Sequence, residues 1–490
     1  MRESYLAARV LDTLLRENYG DLSAQVARGR GGVGLTLADG RLVRLAPGVP
    51  FQDFVVAPGQ VLGLEQVLDT LAEIAPEEDA EGVKAFFDEC VAALAALELH
   101  DAHRAGPPSP DLPYETLAAF ADHPGYPTAR ARPGVPDPAA YAPEFGPAFE
   151  LRWASVPRRM LDPGSAGGLP PDVLERLGPA DPGPDEVLFP VHPLAVDEAR
   201  RAGARVLGEG RGTVRPTASM RAVTVGTDTH LVLPLPVSVL GTRDRLGIAP
   251  DRLGAGARAE RLLRALSGPE VVVADEREYA RAGHDQLAWM VRRLPESGRI
   301  PVAALTVPGS PPGSPPDGLV RAYVRGLLRW SVRSLVEYGV VPLVGWHDLA
   351  LAPAADGVRV LVQGYDGLLV SPARLAAAGI AEPGLPERML TDDPHALTDA
   401  FVTGVLHLGA AAVAFAVLPR AEAVALLRRT LEEALRPYGG HPAARLLRAR
   451  TLDAARLTGR PWLTAGTLAS RERPTAGPPR VSGPNYLRLP

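Results

Sequence analysis

The stretch that decides the fold runs from Val187 to Leu246 and contains VLFPVHPLAVDE (187–198) and RPTASMRAVTVGTDTHLVLPLPVSVLGTRDRL (215–246). Its pattern predicts a short strand ending at His192, a helix, a turn carrying Ser219 and Arg221, and a strand pair with Arg243 at its far end. The turn TVRPTASMRA offers hydroxyls, backbone N–H groups and two guanidinium groups, which together suit a polyphosphate. A phosphate-bearing ligand is therefore the first expectation.

Composition limits the class of protein. A chain of 490 residues is too long for one ordinary core and favours about two or three domains. Hydrophobic residues at 46% and charged residues at 22% are typical of a globular protein. A net charge of -5 and a pI near 6.1 argue against a general nucleic-acid binder, so we expect no nucleic-acid partner.

The single cysteine, Cys90, excludes an intramolecular disulfide framework and a cysteine-rich metal site, which fits a reducing cytoplasm. We expect it to be a buried apolar side chain. The N-terminal MRESYLAARVLDTLLREN is amphipathic and lacks an apolar signal core, and no uncharged stretch is judged long enough to span a membrane. The sequence therefore predicts a cytoplasmic protein without a membrane partner.

A second stretch, DHPGYPTARARPG (122–134), is followed by YAPEF (141–145). Such a Pro/Gly-rich segment between structured regions predicts a fixed loop, and loops held on a scaffold carry function. Arg130 and Arg132 alternate, so they could face a ligand together, point apart, or only solvate the loop. His100 and His103, upstream at helical spacing, are interpreted as a surface pair rather than a metal site.

A third stretch lies behind a strongly periodic helix, LVRAYVRGLLRWSVRSLVEYG (319–339). Two strands joined by a turn at Asp356-Gly357 follow, with His347 before them and Asp366 after them. Taken alone, a histidine between tryptophan and aspartate is more often a core or turn residue than a catalytic one.

Local patterns predict further elements. A hairpin is expected at Asp39-Gly40. We also expect a helix over QLAWMVRRLPE (286–296), a strand over RIPVAALTV (299–307), and a domain break near 305–318.

The three stretches together resemble one family, the NRPS-independent siderophore synthetases of the IucA/IucC (aerobactin synthetase) type. The family pattern is a His-Pro pair, P-T-x-S-x-R-T, a lysine in the next strand and then an arginine, preceded by G-H-P-x-H-P-x-x-K-x-R-x-G and followed by E-A-H-x-Q-N. The positions here are His192-Pro193, Pro216–Ala222, Val232, Arg243, Asp122–Gly134 and Gly345–Ala350. Order and spacing match, but polar family positions are replaced at Val232, Ala222, Leu349, Ala350 and Tyr365.

The resemblance implies an α+β, multi-lobed fold shaped like a cupped hand, with mixed sheets and helices around a central cleft. It implies a mostly helical thumb over residues 1–118, a central α/β lobe with nucleotide-binding loops (fingers) over 119–310, and a C-terminal α/β palm over 311–490. A homodimer is also implied.

The resemblance further implies an ATP-dependent ligase that adenylates a carboxylate, citrate-like or other, and joins it to an amine or alcohol. ATP and Mg²⁺ would be the cofactors, with no resident metal site. The implied catalytic residues, on the carboxylate, are Arg243 and His347. The implied ATP-binding residues are His123, Arg130, Arg132, Ser219, Arg221 and, at the metal-nucleotide end, Asp366.

The replaced positions leave alternatives open. Loss of the lysine at Val232 removes a cation of the kind that stabilises anions in a dry site. The chain is either a divergent ligase in siderophore or related biosynthesis, or a catalytically degenerate binding or partner subunit. A third reading is a kinase-like or phosphate-ester enzyme sharing only a nucleotide pocket; the sequence has no G-x-x-x-x-G-K-S/T loop, and GRGGVG near Gly29 precedes a strand.

Overall fold

A computed structural model describes residues 1–30, 32–48, 50–103, 113–178, 182–243, 246–295, 298–307, 316–343, 345–355, 357–470 and 480–488. Short 3₁₀ helices accompany the longer elements given below, at Tyr19–Gln25, Glu77–Asp79, Pro143–Phe145, Arg158–Met160, Pro193–Ala195, Val302–Thr306, Trp346–Asp348, Glu387–Met389, Arg436–Tyr438 and Tyr486–Arg488.

The N-terminal part packs helices on a small antiparallel sheet. The predicted hairpin at Asp39-Gly40 is confirmed, with Thr36 opposite Leu42 and Gly40 at φ 81°. Cys90 is fully buried in this core, as predicted. The elements are α1 (Arg2–Glu17), β1 (Ala27–Gly29), β2 (Gly32–Thr36), β3 (Leu42–Pro47), β4 (Phe54–Val56), α2 (Leu64–Ile74) and α3 (Ala80–His103), with sheet order β1-β2-β3-β4.

The central part holds most of the strands. Its largest sheet has the order β13-β14-β11-β10-β9-β5, and a smaller one has the order β7-β6-β8. The elements are α4 (Pro113–Ala118), α5 (Pro138–Tyr141), β5 (Phe149–Glu150), β6 (Arg152–Pro157), α6 (Pro171–Leu177), β7 (Glu186–Val191), α7 (Val196–Arg201), β8 (Arg205–Val206), β9 (Thr213–Pro216), β10 (Ala222–Thr224), β11 (Thr229–Val232), α8 (Arg252–Leu266), β12 (Val271–Val273), β13 (Asp275–Arg281), β14 (Ala288–Arg293) and β15 (Ile300–Pro301).

The C-terminal part wraps long helices around a mixed sheet of order β12-β18-β17-β15. The predicted hairpin of β17 and β18 is confirmed, with Leu349 opposite Val362; Asp356 of its turn lies outside the described residues. The elements are α9 (Pro316–Arg333), β16 (Val340–Val341), β17 (Leu349–Ala354), β18 (Gly357–Val362), β19 (Leu369–Val370), α10 (Pro372–Ala377), α11 (Pro394–Ala400), α12 (Ala412–Val417), α13 (Arg420–Leu435), α14 (Pro442–Thr451), β20 (Arg456–Gly459) and β21 (Val481–Pro484), with π-helical segments Ser334–Tyr338, Phe401–Ala411 and Thr464–Leu468.

Three predicted elements were wrong. The segment 286–296, expected to be helical, contains strand β14, which pairs with both β11 and β13. The segment 299–307 forms a strand only over Ile300–Pro301 and then a 3₁₀ helix. The second strand expected in THLVLPLPVSVL is absent from the described residues, because Pro234 and Pro236 cannot donate ladder hydrogen bonds.

Two further expectations need correction. His100 is buried rather than on the surface, and its Nε2 lies 2.8 Å from Oε1 of Glu144. One helical stretch, Pro394–Val417, is long and apolar enough to cross a membrane by length and composition, contrary to the expectation. Its side chains at Phe401, Val405 and Ala410 are buried in the C-terminal core, as a core helix requires.

Mixed sheets and helices around a central cavity give the α+β class that was predicted. Separate hydrophobic clusters lie in the N-terminal, central and C-terminal parts. The C-terminal segment also returns to the first cluster, where Leu463 and Leu468 pack against α1 and α3 residues. The domain boundaries at 118 and 310 stay predictions.

Candidate functional site

A cavity of about 400 Å³ lies where the central strands, the 122–134 loop and the start of β17 meet. All but one of the predicted site residues line it, although they come from segments more than 200 residues apart. These residues are His123, Arg130, Arg132, Ser219, Arg221, His347 and Asp366.

The turn between β9 and β10 presents Ser219 and Arg221 to this cavity. Met220 has φ 57°, a strained left-handed conformation for a bulky residue. The Ser219 hydroxyl accepts from the Ala222 N–H at 3.2 Å, and the Ser219 carbonyl accepts from the Arg221 N–H at 2.6 Å. Among the described residues, the Arg221 guanidinium has no hydrogen-bond or ion-pair partner. It is therefore a cation available to a ligand.

The two arginines of the 122–134 loop are held more firmly. Arg130 Nε lies 3.0 Å from Asp122 Oδ1, and another nitrogen donates to the Phe120 carbonyl. Arg132 donates to the carbonyls of Ala129 and Ala131 at 3.1 and 3.2 Å. Both side chains are mostly buried and line one cavity, so they do not merely solvate the loop.

Arg132 is also anchored by a buried carboxylate from the YAPEF segment. Its Nη2 lies 3.4 Å from Glu144 Oε1. Burial alone would raise the pKa of Glu144, but the Arg132 charge and the hydrogen bond with His100 lower that pKa to about 2. Glu144 is therefore ionised at neutral pH and fixes the base of the loop.

His123 presents a defined tautomer. Its Nδ1 accepts from the Gly125 N–H at 3.0 Å, which leaves the proton on Nε2. Burial, with smaller effects of His347 and Arg9, lowers the pKa of His123 well below its ordinary value. The neutral ring is a hydrogen-bond donor in the wall of the cavity.

His347 faces His123, with ring centroids 6.4 Å apart. Its side chain is exposed and lines the cavity. Desolvation by the surrounding protein, and then the Arg132 charge, lower the pKa of His347 to about 4. His347 is therefore neutral at pH 7 and can donate or accept a hydrogen bond.

The neighbouring Asp348, which the sequence did not single out as a site residue, also lines the cavity. Its Oδ2 accepts from the Gly345 N–H at 2.8 Å. Burial, opposed by that hydrogen bond, and the nearby Asp366 charge raise the pKa of Asp348 to about 7. Asp366 itself accepts from Arg252 Nη1 at 3.0 Å.

The cavity contains a further buried arginine that sequence reasoning missed. Arg292 on β14 lies opposite His230 on β11, and Val232 lies two residues further along β11 on the same face of the sheet. Arg292 donates to Glu276 Oε1, whose negative charge raises the pKa of Arg292 against the effect of burial. Arg292 is therefore a cation on the strand next to Val232, facing the same side of the sheet.

The wall beside Arg292 carries a second charged cluster. Arg299 donates to the Thr227 carbonyl at 3.0 Å and approaches His230 Nε2 at 3.4 Å. Burial raises the pKa of Glu115 there, although its carboxylate accepts from the Ala218 N–H at 2.9 Å. Both Arg299 and Glu115 line the cavity.

Arg292 was missed because its strand was taken for a helix. DEREYAR and AWMVRR flank a turn at Gly283, which has φ 65°, and pair as an antiparallel hairpin. The Gly283-His284-Asp285 turn signal between two aromatic-containing runs could have indicated a hairpin. In that register Arg292 faces the same side of the sheet as His230.

Arg243, predicted to bind the carboxylate, lies outside the cavity lining. Its Nη1 donates to the Ala465 carbonyl at 3.0 Å, and Nη2 donates to the Ala469 carbonyl. In this arrangement Arg243 fastens the Thr464–Leu468 segment. Its role with the carboxylate stays a prediction.

Two other motif positions also hold the structure together. Tyr126, which replaces the second family histidine, donates to Glu89 Oε2 at 3.1 Å and lies 2.8 Å from Thr467 Oγ1. His192 is fully buried against aromatic rings and accepts from the Leu194 N–H at 3.2 Å. Neither residue lines the cavity.

Solved structures share this fold over nearly the whole chain. Petrobactin biosynthesis protein AsbB from Bacillus anthracis str. Sterne matches with a TM-score of 0.73 at 13% identity, over 99% of this chain and 96% of that one. ATP-bound aerobactin synthetase IucA from a hypervirulent Klebsiella pneumoniae matches with a TM-score of 0.68 at 17% identity, over 98% and 99%. Aerobactin synthetase IucC from the same pathotype matches with a TM-score of 0.67 at 17% identity, over 91% and 94%.

The central segment carries a sequence match as well. No curated protein matches the chain by sequence. The model of the IucA / IucC family matches residues 112–307, which include the 122–134 loop, the Ser219 turn and strand β14. By this match the central segment is similar to the IucA / IucC family, and the whole chain shares the fold of the petrobactin and aerobactin biosynthesis proteins named above.

Proposed function

We propose that the protein is an ATP-dependent ligase that joins a carboxylate to an amine or alcohol through an acyl-adenylate, in biosynthesis of a siderophore or a related natural product. The observation that carries the proposal is one cavity holding Arg221, Arg292 and neutral His123 and His347. The similarity to an ATP-bound aerobactin synthetase supports ATP as the nucleotide.

The chemistry needs positive charge, because adenylation drives a carboxylate against a triphosphate. A carboxylate oxygen bonds to the α-phosphorus as the bond from that phosphorus to the bridging oxygen breaks and pyrophosphate leaves. The amine or alcohol then bonds to the acyl carbon, AMP departs, and the nucleophile gives up its proton. Fixed cations and hydrogen-bond donors stabilise both steps without reorganising.

The phosphates of ATP are assigned to four residues that would bind them, Ser219, Arg221, His123 and Arg292. Arg221 supplies an uncommitted guanidinium, and His123 supplies an Nε2–H donor. His347 is assigned to the carboxylate substrate with Arg132, whose charge is near enough to lower the pKa of His347. Arg130, which is paired with Asp122, lines the same cavity and can donate to a ligand there.

Mg²⁺ fits the same cavity as a nucleotide-bound ion. Asp348 and Asp366 line it and are near enough that the Asp366 charge raises the pKa of Asp348. The described residues contain no cluster of three or more His, Cys, Asp or Glu for a resident metal. Two carboxylates with phosphate oxygens are a usual Mg²⁺ environment, in which the ion neutralises phosphate charge.

The test is pyrophosphate release from ATP, measured with a panel of mono-, di- and tricarboxylates and with amines or alcohols. The proposal predicts release that requires a carboxylate and is lost in Arg221→Ala. Release that is independent of carboxylate would contradict it.

A second candidate is a catalytically degenerate binding or partner subunit. It is favoured by the apolar side chains of Val232, Leu349 and Ala350 at cavity positions that are polar in the family pattern. This candidate predicts ATP binding by calorimetry without pyrophosphate release. The homodimer implied by the resemblance stays a prediction, to be checked by light scattering.

A further inference from the structure

A second cavity, of about 210 Å³, adjoins the main one. The two share lining residues, so the indole of Trp462 forms part of the wall of both. On the main side this indole packs edge-on against the His123 ring, with centroids 5.6 Å apart. The shared residues are Thr403, Leu408, Arg460 and Trp462.

The second cavity, called the side pocket below, is aromatic and contains no carboxylate among its described lining residues. Its walls include the rings of Phe51, His407, Phe415, Trp462 and Tyr486. An ammonium group held there would lie near the cations of Arg16 and Arg460 with no carboxylate among the described lining residues to attract it, whereas the aromatic rings favour another aromatic ring. Its volume exceeds the roughly 150 Å³ known to accept benzene in an engineered apolar cavity.

The histidine of the side pocket has partners at both ring nitrogens. His407 Nδ1 lies 2.9 Å from the Tyr486 hydroxyl, and His407 Nε2 lies 2.8 Å from the Thr458 carbonyl. Burial lowers the pKa of His407 to about 4, so this ring carries no charge at neutral pH. The histidine therefore serves as an uncharged wall.

One wall is held in a strained conformation. Phe51 has φ 66°, a conformation that bulky side chains rarely adopt. A Cβ added at Gly459 would lie 2.2 Å from the Phe51 ring, and one added at Gly483 would lie 2.4 Å from the Phe51 carbonyl oxygen and 2.8 Å from its ring. The Phe51 ring also lies 4.5 Å from the His407 ring. Strain of this kind persists where the surroundings impose it, and it concentrates at ligand sites.

We propose that the side pocket binds an uncharged aryl group of the amine or alcohol co-substrate, whose reactive end then lies past Trp462 in the main cavity. The proposal rests on the proposed ligase function for the identity of the ligand as co-substrate. It excludes a simple diamine, whose distal ammonium would lie beside Arg16 and Arg460 without a counter-charge among the described lining residues.

The experiment compares three probes, phenethylamine, n-butylamine and 1,5-diaminopentane, by calorimetric titration of the full chain with and without ATP. Phenethylamine should bind about tenfold or more tightly than either alkyl amine. Ala412→Phe fills the side pocket and should weaken phenethylamine binding by about tenfold or more. Ala416→Phe, exposed on the same helix, is the matched control and should bind like wild type.

Equal or tighter binding of 1,5-diaminopentane would overturn the proposal, as would unchanged phenethylamine binding in a folded Ala412→Phe. If that variant does not fold, the wild-type comparison of the three amines still decides. If phenethylamine binds preferentially but no carboxylate supports pyrophosphate release from ATP, the aryl-binding role of the side pocket stands and the ligase function is refuted. If pyrophosphate is released but phenethylamine does not bind preferentially, the ligase function stands and the aryl-binding role of the side pocket is refuted.

Discussion

The rings of His123 and His347 lie nearly parallel, with centroids 6.4 Å apart and planes inclined by 28°. One ring belongs to the 122–134 loop and the other to the short helix before β17, so two distant motifs meet across one cavity. Both histidines have pKa values below their ordinary range, chiefly because of burial. The meeting of neutral donors and arginines is the basis of the predictions below.

Arg221→Ala should weaken ATP binding by about 10- to 100-fold, because a charge-assisted hydrogen bond contributes on the order of 1.5–3 kcal/mol. Arg221→Lys should recover part of the loss, since it restores the charge but not the bidentate geometry. Calorimetry measures both. Arg261→Ala, on the exposed side of α8, is the control and should match wild type; ATP affinity unchanged in Arg221→Ala would refute the assignment.

Arg292→Met should lower stability by about 3–5 kcal/mol, because it leaves the Glu276 carboxylate buried without its cation. The double variant Arg292→Met/Glu276→Gln should recover much of the melting temperature but not the ATP affinity. Thermal melts and calorimetry on the same samples separate the two effects. Recovery of ATP affinity in the double variant would make Arg292 a purely structural residue.

Asp348→Asn should raise the melting temperature, increasingly so from pH 5 to pH 7. The folded pKa of Asp348 is about 7, above its ordinary 3.8, so its carboxyl favours the folded state when protonated. The stability contributed by the protonated Asp348 carboxyl is fully present below the pKa of Asp348 in the unfolded chain. It is lost as the pH rises through the pKa of Asp348 in the folded protein. The difference between variant and wild type should level off above pH 7; a pH-independent difference would contradict the raised pKa.

Glu144→Gln should destabilise the protein at pH 7 by on the order of 3 kcal/mol, because Arg132 and His100 lose a buried anionic partner. The folded pKa of Glu144 is about 2, below its ordinary 4.5. The stability contributed by the Glu144 carboxylate is present above the pKa of Glu144 in the unfolded chain. It is lost as the pH falls through the pKa of Glu144 in the folded protein. The difference in melting temperature should therefore shrink towards pH 2, whereas the exposed Glu150→Gln should behave like wild type throughout.

Sequence patterns predicted the elements whose signals are local. The Asp39-Gly40 hairpin, the long helix α9 and the β17–β18 hairpin follow from turn residues and periodicity. Strand β14 was missed because a short apolar run fits both a helix and a buried strand. Its pairing with β11 depends on tertiary packing, which the local sequence does not reveal.

The candidate site likewise contains residues that local motifs predict and residues that only the tertiary structure brings in. His123, Ser219, Arg221 and His347 stand in recognisable motifs, and they do line one cavity. Arg292 stands in no motif, since its place beside Val232 depends on the register between two strands. Arg243 stands in a motif, yet its guanidinium bonds to carbonyls of the C-terminal segment, a contact that spacing along the chain does not predict.

The most direct test of the central claim is exchange of labelled pyrophosphate into ATP, which requires reversible formation of an acyl-adenylate and no amine or alcohol. The account predicts exchange that appears only when a carboxylate substrate is added and that is lost in Arg221→Ala. ATP binding with no exchange for any carboxylate of the panel would contradict the ligase and leave a nucleotide-binding partner subunit.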